Sequence, residues 1–416
     1  MKKILLILMS LVTLMTQAQN MPYITKVYDL LPAPGQFINT LPTCVYVNNE
    51  PRDSVIARAE KALCGTCTID TDSVEMPDGS VVAVNDTTMN VAPGMISLGS
   101  FGGYVVFGFD HPVVNVNGAY DMQIFGNGFQ AANSSSSGGS SEPGIVMVSR
   151  DDNHNGVPDD TWYELAGSEY NNPKTQKHFT ITYYKPDENK TPVTVPGQSY
   201  VTDAEYIRWT SNSVDSLQEG YVRKNSFHSQ SYWPQWVEGE TLTFTGTRLP
   251  CNAVDESGNG TYWVQHFYDW GYVDNRSDEG YGYKANPSGV DPETLSRGFN
   301  IDWAVDDEGN PISLGHIDFV KVYCAILQDC GWLGETSTEV CGAIDLHPNE
   351  PLPDNTPVAG DINGDGKVDV TDVNLVINMM LGKVEYAAVA DINADGRVDV
   401  SDVNAIINLM LGITNN

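Results

Sequence analysis

The chain has 416 residues and a formal net charge of −32, with 54 acidic and 22 basic residues. A protein this acidic repels nucleic acid and anionic membranes, so neither is predicted as a partner. Charged residues make up only 18% of the chain, whereas Gly, Tyr and Trp number 38, 20 and 8, and this composition favours a turn-rich β protein over a disordered acidic tail.

The N-terminus has the three parts of a secretory signal peptide. Lys2 and Lys3 precede an apolar run over 4–15, and Ala18 ends a small-residue cleavage site. We therefore expect residues 1–18 to be removed on export and the protein to be secreted, either extracellular or at the cell surface. No later run approaches the roughly 18 apolar residues that a membrane helix needs, so no membrane span is predicted.

All seven cysteines lie after the signal peptide, where export permits disulfides. Cys64 and Cys67 form a Cys-Gly-Thr-Cys pair at the end of a helix predicted over 53–63. A redox pair would open a helix, and a zinc site would need a second ligand pair at zinc spacing. The pair is therefore interpreted as a structural disulfide or as inert thiols.

Residues 19–346 are predicted to form a mainly β body. Its short apolar runs are bounded by Gly, Pro, Asn and Asp, as in β-sandwiches and jelly rolls. The predicted strands are 104–109, 113–116, 122–125, 144–148, 179–184, 241–244 and 317–323. One large jelly-roll-like β-sandwich or two adjoining β-subdomains fit this length.

An acidic loop lies inside the body. It matches positions 1, 3, 5, 6, 7 and 9 of a calcium-loop template with Asp151, Asn153, Asn155, Gly156, Val157 and Asp159. Position 12 is Trp162, which cannot coordinate, so Asp160 or Glu164 would have to complete the ligand shell. The loop is either a third calcium site or an Asx-rich turn.

The body contains no recognisable catalytic motif such as Gly-x-Ser-x-Gly, His-Glu-x-x-His or a glycine-rich phosphate loop. A glycoside hydrolase needs two opposed carboxylates. Glu142, Glu164, Asp269 and Asp302 are candidates, but nothing in the sequence pairs them, and ordinary turn or loop carboxylates are the alternative.

An aromatic cluster is the candidate ligand surface of the body. Trp233, Trp236 and Trp270 can stack on sugar rings if their rings are exposed. Packing of the same rings in the core is the alternative interpretation.

Five segments of the body form a recognisable set of sequence motifs. They are LGSFGGY (98–104), EPGIVMV (142–148), WYELAGS (162–168), WGYVDN (270–275) and IDFVKVY (317–323). Together they resemble a group of secreted cell-surface proteins of Bacteroidales-type gut bacteria. Some members of that group accompany nutrient-capture systems, so the resemblance implies a surface location and a role in capture.

A proline-rich linker over 347–357 separates the body from a C-terminal module over 358–416. In this module 361–372 and 391–402 repeat one pattern, with oxygen-bearing side chains at loop positions 1, 3, 5, 9 and 12 and Gly at position 6. That pattern suits Ca²⁺, which takes six to eight oxygen ligands.

Apolar residues recur after each loop at i, i+3, i+4, i+7 and i+8, which predicts a short helix. In the first repeat this face is formed by Val373, Val376, Ile377, Met380 and Leu381. We expect the two apolar faces to bury each other.

The tandem loop–helix units resemble a type I dockerin, the module that joins an enzyme or surface protein to a cohesin-bearing scaffold. The resemblance implies a small all-α module, two Ca²⁺ ions and a cohesin-type partner. The implied ligands are Asp361, Asn363, Asp365, Lys367 (carbonyl), Asp369, Asp372, Asp391, Asn393, Asp395, Arg397 (carbonyl), Asp399 and Asp402. The implied partner-binding pairs, at loop positions 10 and 11, are Val370–Thr371 and Val400–Ser401.

Two functions are open at this point. The first is a non-catalytic, calcium-binding surface module that captures a glycan or another extracellular nutrient and attaches to a cohesin-type partner. The second is a dockerin-borne polysaccharide-degrading hydrolase that acts on O-glycosyl bonds. The absence of a recognisable catalytic motif favours the first.

Overall fold

The computed structural model describes residues 20–39, 51–64, 73–75, 81–83, 94–131, 138–213, 217–276, 298–353, 360–363, 368–384, 387–393 and 396–411. The predicted signal peptide and Cys67 lie outside these ranges. Among the described residues, no helix is long and apolar enough to cross a membrane.

The helices are α1 Arg52–Leu63, α2 Val370–Met380 and α3 Val400–Met410, with short 3-10 helices at Ile301–Trp303, Gly331–Leu333 and Ala388–Ala390. The strands are β1 Lys26–Leu31, β2 Ser73–Glu75, β3 Val81–Ala83, β4 Ile96–Ser97, β5 Tyr104–Gly108, β6 Val113–Val114, β7 Met122–Phe125, β8 Phe129–Gln130, β9 Gly138–Ser140, β10 Gly144–Ser149, β11 Trp162–Leu165, β12 Gln176–Tyr184, β13 Val201–Ser211, β14 Glu219–Asn225, β15 Thr241–Arg248, β16 Ala253–Asp255, β17 Trp263–His266, β18 Ala304–Val305, β19 His316–Ile317, β20 Phe319–Cys324, β21 Glu339–Val340 and β22 Gly342–Asp345.

Antiparallel sheets build the body. The largest has six strands in the order β1-β5-β20-β10-β11-β18, and two four-stranded sheets have the orders β14-β13-β12-β15 and β16-β17-β9-β8. Four two-stranded pairs complete the described strands: β19-β6, β2-β3, β21-β4 and β22-β7. The prediction of a mainly β body is confirmed, and each of the seven predicted strands coincides with observed strand.

The six-stranded sheet is buried on both faces. Neighbouring residues of a strand point to opposite faces, so β10 and β20 each serve two cores. Ile145 and its cross-strand partner Tyr323 belong to one core, whereas Val146 and its partner Val322 belong to the other. This burial explains why both strands are nearly continuous apolar runs rather than alternating ones.

One face of this sheet packs against the four-stranded sheet that contains β12 and β15, which gives the predicted sandwich. The Tyr183 hydroxyl of β12 donates to the Phe101 carbonyl at 3.0 Å, and the backbone N–H of Thr247 in β15 donates to the Tyr323 hydroxyl at 2.9 Å. Gly102, with φ +91°, lets the chain before β5 approach Phe244, because a Cβ there would lie 2.2 Å from the Phe244 Cβ.

Helix α1 contributes to the core on the other face. Val55, Ala59, Ala62 and Leu63 recur at i, i+4, i+7 and i+8 and are all buried there. The helix ends where Cys64 turns to extended backbone, with its N–H donating to the Glu60 carbonyl at 2.7 Å. The helix predicted over 53–63 is confirmed.

The C-terminal module has a small core of its own. Its buried apolar residues are Ile362, Val373, Val376, Ala390 and Ile406. The prediction that the whole apolar faces of α2 and α3 bury each other is wrong for their outer halves. Ile377, Met380 and Leu381 are 37%, 38% and 63% exposed, because two helices can cover only one side of each other.

Candidate calcium loops and exposed surfaces

A buried carboxylate closes each C-terminal loop. Asp372 accepts hydrogen bonds from the backbone N–H groups of Ile362 (2.8 Å) and Asn363 (3.2 Å) on Oδ1 and of Asp369 (2.9 Å) on Oδ2. Asp402 makes the equivalent three bonds at 2.8, 3.3 and 2.9 Å. Both side chains are fully buried, so loop position 12 ties the start of the loop to the first turn of the helix.

The residue at loop position 9 is the N-cap of the following helix. Asp369 accepts from the Thr371 N–H at 2.7 Å and the Thr371 hydroxyl at 2.6 Å, and Asp399 accepts from the same groups of Ser401 at 2.8 and 2.7 Å. Each helix start also has a capping box, in which the side chain of Asp369 or Asp399 accepts the backbone N–H of Asp372 or Asp402 and the latter side chain accepts the N-cap backbone N–H. The hydroxyl of Ser401 also holds the pKa of Asp399 below its usual range, which favours the charged form that a cation requires.

The acidic loop of the body begins in the same way as the second C-terminal loop. The Gly156 N–H donates to Asp151 Oδ2 at 2.8 Å, and the Gly396 N–H donates to Asp391 Oδ2 at 2.7 Å. Both glycines have positive φ, +71° and +84°, as a sharp turn at position 6 requires. The two loops therefore share the bond from position 6 to position 1 and the positive φ at position 6.

The two loops end differently. In the body loop the side-chain amides of Asn153 and Asn155 donate to Asp159 at 3.1 to 3.2 Å. Their carbonyl oxygens accept backbone N–H groups, as in Asx turns. Position 12 is Trp162, which starts β11 opposite Ser149. The body loop thus leads into a strand and has no carboxylate at its closing position.

Each C-terminal helix carries an exposed apolar stripe at i, i+7 and i+11. Residues at this spacing lie on one side of a helix. The members, with their exposed fractions, are Val370 59%, Ile377 37%, Leu381 63%, Val400 60%, Ile407 37% and Leu411 68%. Sequence reasoning found only the first residue of each stripe, because the remaining positions match the pattern of a buried face.

Residues 359–411 match the family model described as the dockerin type I domain. The C-terminal module is a type I dockerin. No curated protein matches the chain. The family match covers only the dockerin, so it indicates no function for the body.

Dockerins bind calcium, so Ca²⁺ is the cofactor that the family implies. The predicted ligands Asp365, Lys367 and Asp395 lie outside the described residues. The described side-chain donors are hard oxygen ligands, and they include the buried carboxylates Asp372 and Asp402. Each carboxylate oxygen has two lone pairs, so one that accepts a backbone N–H can also face a cation. The residues present fit Ca²⁺.

The structure separates the three predicted aromatic ligands. Trp233 is 2% exposed and belongs to the core of the sandwich, so its predicted role in stacking on sugar is wrong. Trp236 is half-buried against the other core. Trp270 is 40% exposed, and its ring lies 4.6 Å from that of Trp303, measured between centroids.

Glu142 is the one predicted carboxylate that lies in an acidic cluster. Its carboxylate oxygens and those of Asp274 and Glu339 come within 4.8 Å of one another. Desolvation by burial raises the pKa of Glu142 to about 7 and that of Glu339 well above the usual range. Asp274 and Glu339 are 0% and 4% exposed, so a polysaccharide chain cannot reach these two carboxylates, whereas Glu142 is half-buried.

The other predicted carboxylates are placed apart from that cluster. Glu164 accepts the hydroxyl of Thr247 at 2.6 Å, and burial raises its pKa to about 7. Asp302 accepts the side-chain amide of Asn115 at 2.8 Å, and Asp269 lies on the surface.

Among the cysteines, Cys324 and Cys330 are buried free thiols, and burial raises the pKa of Cys324 to about 11, which makes it unreactive.

Proposed function

We propose that this protein is exported, that its dockerin attaches it to a cohesin-type partner in a calcium-dependent way, and that its body is a non-catalytic binding module for a glycan or another extracellular nutrient. The observation that carries the first part is the pair of equivalent loop–helix units, each with a carboxylate-closed loop and an exposed apolar stripe. The dockerin family match supports a cohesin-type partner.

Two calcium ions are proposed in the dockerin, one in each loop. Their ligands are the residues at loop positions 1, 3, 5, 7, 9 and 12, with backbone carbonyls at position 7. A third ion is proposed in the body loop, held by Asp151, Asn153, Asn155, Val157 and Asp159. Its support is the bond from Gly156 to Asp151, which is equivalent to the bond from Gly396 to Asp391 in the second dockerin loop.

The proposed partner surface extends the predicted pairs along both helices. Val370 begins one stripe with Thr371 beside it, and Val400 begins the other with Ser401 beside it. The equivalent stripe residues have nearly equal exposure, at 59% and 60% for the two valines. A partner that reads one stripe can therefore read the other after the dockerin turns by half a revolution.

Binding rather than hydrolysis is proposed for the body because two of its three clustered carboxylates, those of Asp274 and Glu339, are buried. A glycoside hydrolase places two carboxyl groups about 5 to 9.5 Å apart on either side of a glycosidic bond in an open groove. Glu142 instead lies against buried Asp274 and Glu339. Glu164 is the candidate acid of the alternative, since its pKa of about 7 suits a proton donor.

Two measurements on the full chain separate these functions. A glycan array in calcium detects retention, and a reducing-sugar assay on each retained polysaccharide detects turnover. We expect retention without release of reducing ends. Release that is lost in Glu164→Gln would establish the hydrolase instead.

Capture on immobilised type I cohesins, with and without EDTA, tests the dockerin part. We expect capture only in calcium. Failure of every cohesin to capture the protein in calcium would contradict the proposed attachment, whatever the array shows.

A further inference from the structure

A cleft of about 350 Å³ opens in the four-stranded sheet of the sandwich. Strands β13 and β14 and the loops that follow β12 and β14 form its walls. The lining residues that matter here are Glu188, Lys190, Asp203, Tyr206 and Lys224. A volume of this size lies within the range of small-molecule sites. Every lining residue except Pro192 has a side chain that can hydrogen-bond, so the cleft suits a ligand with several hydrogen-bonding groups.

The cleft lies where β13 and β14 lose regular register. Asp203 pairs with Lys224 and Ile207 pairs with Val222, so four steps along β13 oppose only two along β14. Such bulges change the direction of side chains and are frequent beside binding sites. This irregular stretch supplies Asp203 and Tyr206 to the cleft.

Glu188 is held as an acceptor at the cleft. Its Oε1 accepts the Tyr206 hydroxyl at 2.6 Å and the Ser231 hydroxyl at 2.8 Å. The other oxygen, Oε2, lies 3.9 Å from Lys224 Nζ. The two hydroxyl groups fix the carboxylate and leave Oε2 turned toward the ammonium group.

Lys224 is the matching donor. Its Nζ lies 4.5 Å above the centroid of the Tyr206 ring, which holds the ammonium in place. The 3.9 Å separation from Glu188 Oε2 is too long for a hydrogen bond, and no acceptor among the described residues lies within hydrogen-bonding distance of Nζ. One hydroxyl oxygen about 2.8 Å from each atom can bridge them, since it donates to the carboxylate and accepts from the ammonium.

The second lysine of the cleft is neutralised within the protein. Lys190 Nζ lies 2.9 Å from Asp203 Oδ2, and Asp203 Oδ1 also accepts the backbone N–H groups of Val193 and Glu205 at 3.1 Å each. Both lysines thus have a carboxylate partner. A charged ligand would have to disrupt one of these pairs, whereas a neutral polyhydroxylated ligand can hydrogen-bond to both partners of a pair.

We propose that this cleft binds one sugar unit of a neutral glycan, with a sugar hydroxyl bridging Glu188 and Lys224. The inference rests on the glycan-capture role proposed for the body and names its site and ligand class. Neither residue was singled out from the sequence, because Glu188 lies in a loop and Lys224 in a strand that meet only in the folded protein.

Saturation-transfer NMR on the full chain in calcium tests this. The probes are the methyl glycosides of glucose, galactose, mannose and xylose, with glucuronate and glucosamine as charged comparators. We expect at least one neutral glycoside to bind and the charged sugars to bind more weakly. Glu188→Gln and Lys224→Met should each weaken that glycoside about tenfold, because each leaves a hydroxyl without its partner.

A matched ion pair provides the control. Lys185 Nζ and Glu240 Oε1 lie 3.8 Å apart where β12 ends and β15 begins, outside the cleft lining. Glu240→Gln and Lys185→Met should change glycoside affinity less than twofold. Thermal melting followed by tryptophan fluorescence checks that all four variants are folded.

Three outcomes overturn the inference. Unchanged affinity in folded Glu188→Gln and Lys224→Met would place the sugar elsewhere and leave glycan capture standing. Tighter binding of glucuronate or glucosamine would reject the neutral class. If no neutral glycoside binds, the cleft inference is wrong, and a negative glycan array alongside would also reject glycan capture by the body.

Discussion

The body and the dockerin are stabilised by different means. Among the described residues, the two cores of the body contain 29 and 20 buried residues, whereas the dockerin core contains five. Burial of apolar surface contributes roughly 25 cal/mol per Å². The body is therefore stabilised by its large cores, whereas the core of a module as small as the dockerin contributes too little to stabilise it. The dockerin compensates with loops whose carboxylates require a cation. Calcium should therefore decide the folding of one region and only adjust the stability of the other.

The largest expected effect is loss of the dockerin fold on calcium removal. With EDTA, unbalanced carboxylates should open both loops and release the helices. Hydrogen exchange of the full chain should show fast exchange in α2 and α3 and continued protection in β10 and β20. Equal protection of α2 and α3 with and without EDTA would contradict the calcium-dependent folding of the dockerin.

Two matched double variants test whether the calcium loops hold the two helices. Asp361→Ala combined with Asp391→Ala removes position 1 of both loops and should release the helices even in calcium. Asn374→Ala combined with Asn404→Ala changes exposed, equivalent helix positions outside the loops and should leave exchange in both helices unchanged.

The second prediction concerns the two equivalent stripes. Thr371→Asp removes one of two binding modes, so the association constant for a cohesin should fall about twofold. Addition of Ser401→Asp should abolish binding, because both stripes then carry a charge at their start. Surface plasmon resonance on an immobilised cohesin measures both, and complete loss with the single change would show that only the first stripe is read.

The third prediction concerns the calcium loop of the body. All eight tryptophans lie between 162 and 332, so their fluorescence reports melting of the body alone. Calcium at a hundred-fold excess over Kd should stabilise the body by about 2.7 kcal/mol, because only the folded loop binds the ion. An unchanged melting temperature with and without calcium would show that the loop is an Asx-rich turn.

Two double variants locate this effect. Asp151→Ala with Asn153→Ala should erase the calcium-dependent shift in melting. Asp306→Ala with Asn310→Ala changes another exposed turn, in which Asp306 Oδ1 accepts the Asn310 N–H at 2.7 Å, and should preserve the shift.

The smallest expected effect is a pH dependence within the body. Glu335 is 8% exposed, and desolvation by burial raises its pKa to about 8. In the unfolded state the pKa of Glu335 is near 4.3, so its carboxyl loses the proton at a lower pH than in the folded state. The stabilising contribution of the Glu335 carboxyl is fully present below about pH 4.3 and is lost as the pH rises through about 8.

Melting followed by tryptophan fluorescence at constant calcium between pH 5 and 8 measures this loss. The melting temperature should fall by a few degrees over this range. Glu335→Gln stays neutral and should flatten the slope, whereas Glu308→Gln on an exposed turn should not. An equal slope in Glu335→Gln and the unmutated chain would exclude Glu335 as the cause.

The strands that the sequence failed to predict include β13 and β14, which form the cleft. β13 and β14 are 11 and 7 residues long, yet neither shows a regular alternation of apolar and polar residues. The alternation of burial in β13 is interrupted by the adjacent buried residues Tyr206 and Ile207, where its register with β14 shifts. A bulge breaks the period of two on which strand prediction depends, so this stretch looks like loop.

The sequence also could not predict which individual aromatic and acidic residues are buried in the core. Trp233 and Trp270 lie in similar polar surroundings in the sequence, but one is 2% and the other 40% exposed. Glu142 is brought beside Glu339 by packing of segments that are almost 200 residues apart. Which face of a strand or turn becomes buried depends on the layer that covers it, and that layer comes from elsewhere in the chain.

The sequence by itself determined the dockerin, the helix at 53–63 and the mainly β character of the body. These features depend on residues within one loop, one helix or one strand, so their spacing along the chain is sufficient. Only the tertiary structure decided which half of each dockerin helix stays exposed, and only it brought Glu188 to Lys224. Both outcomes depend on contacts between distant segments, for which the linear spacing of residues carries no signal.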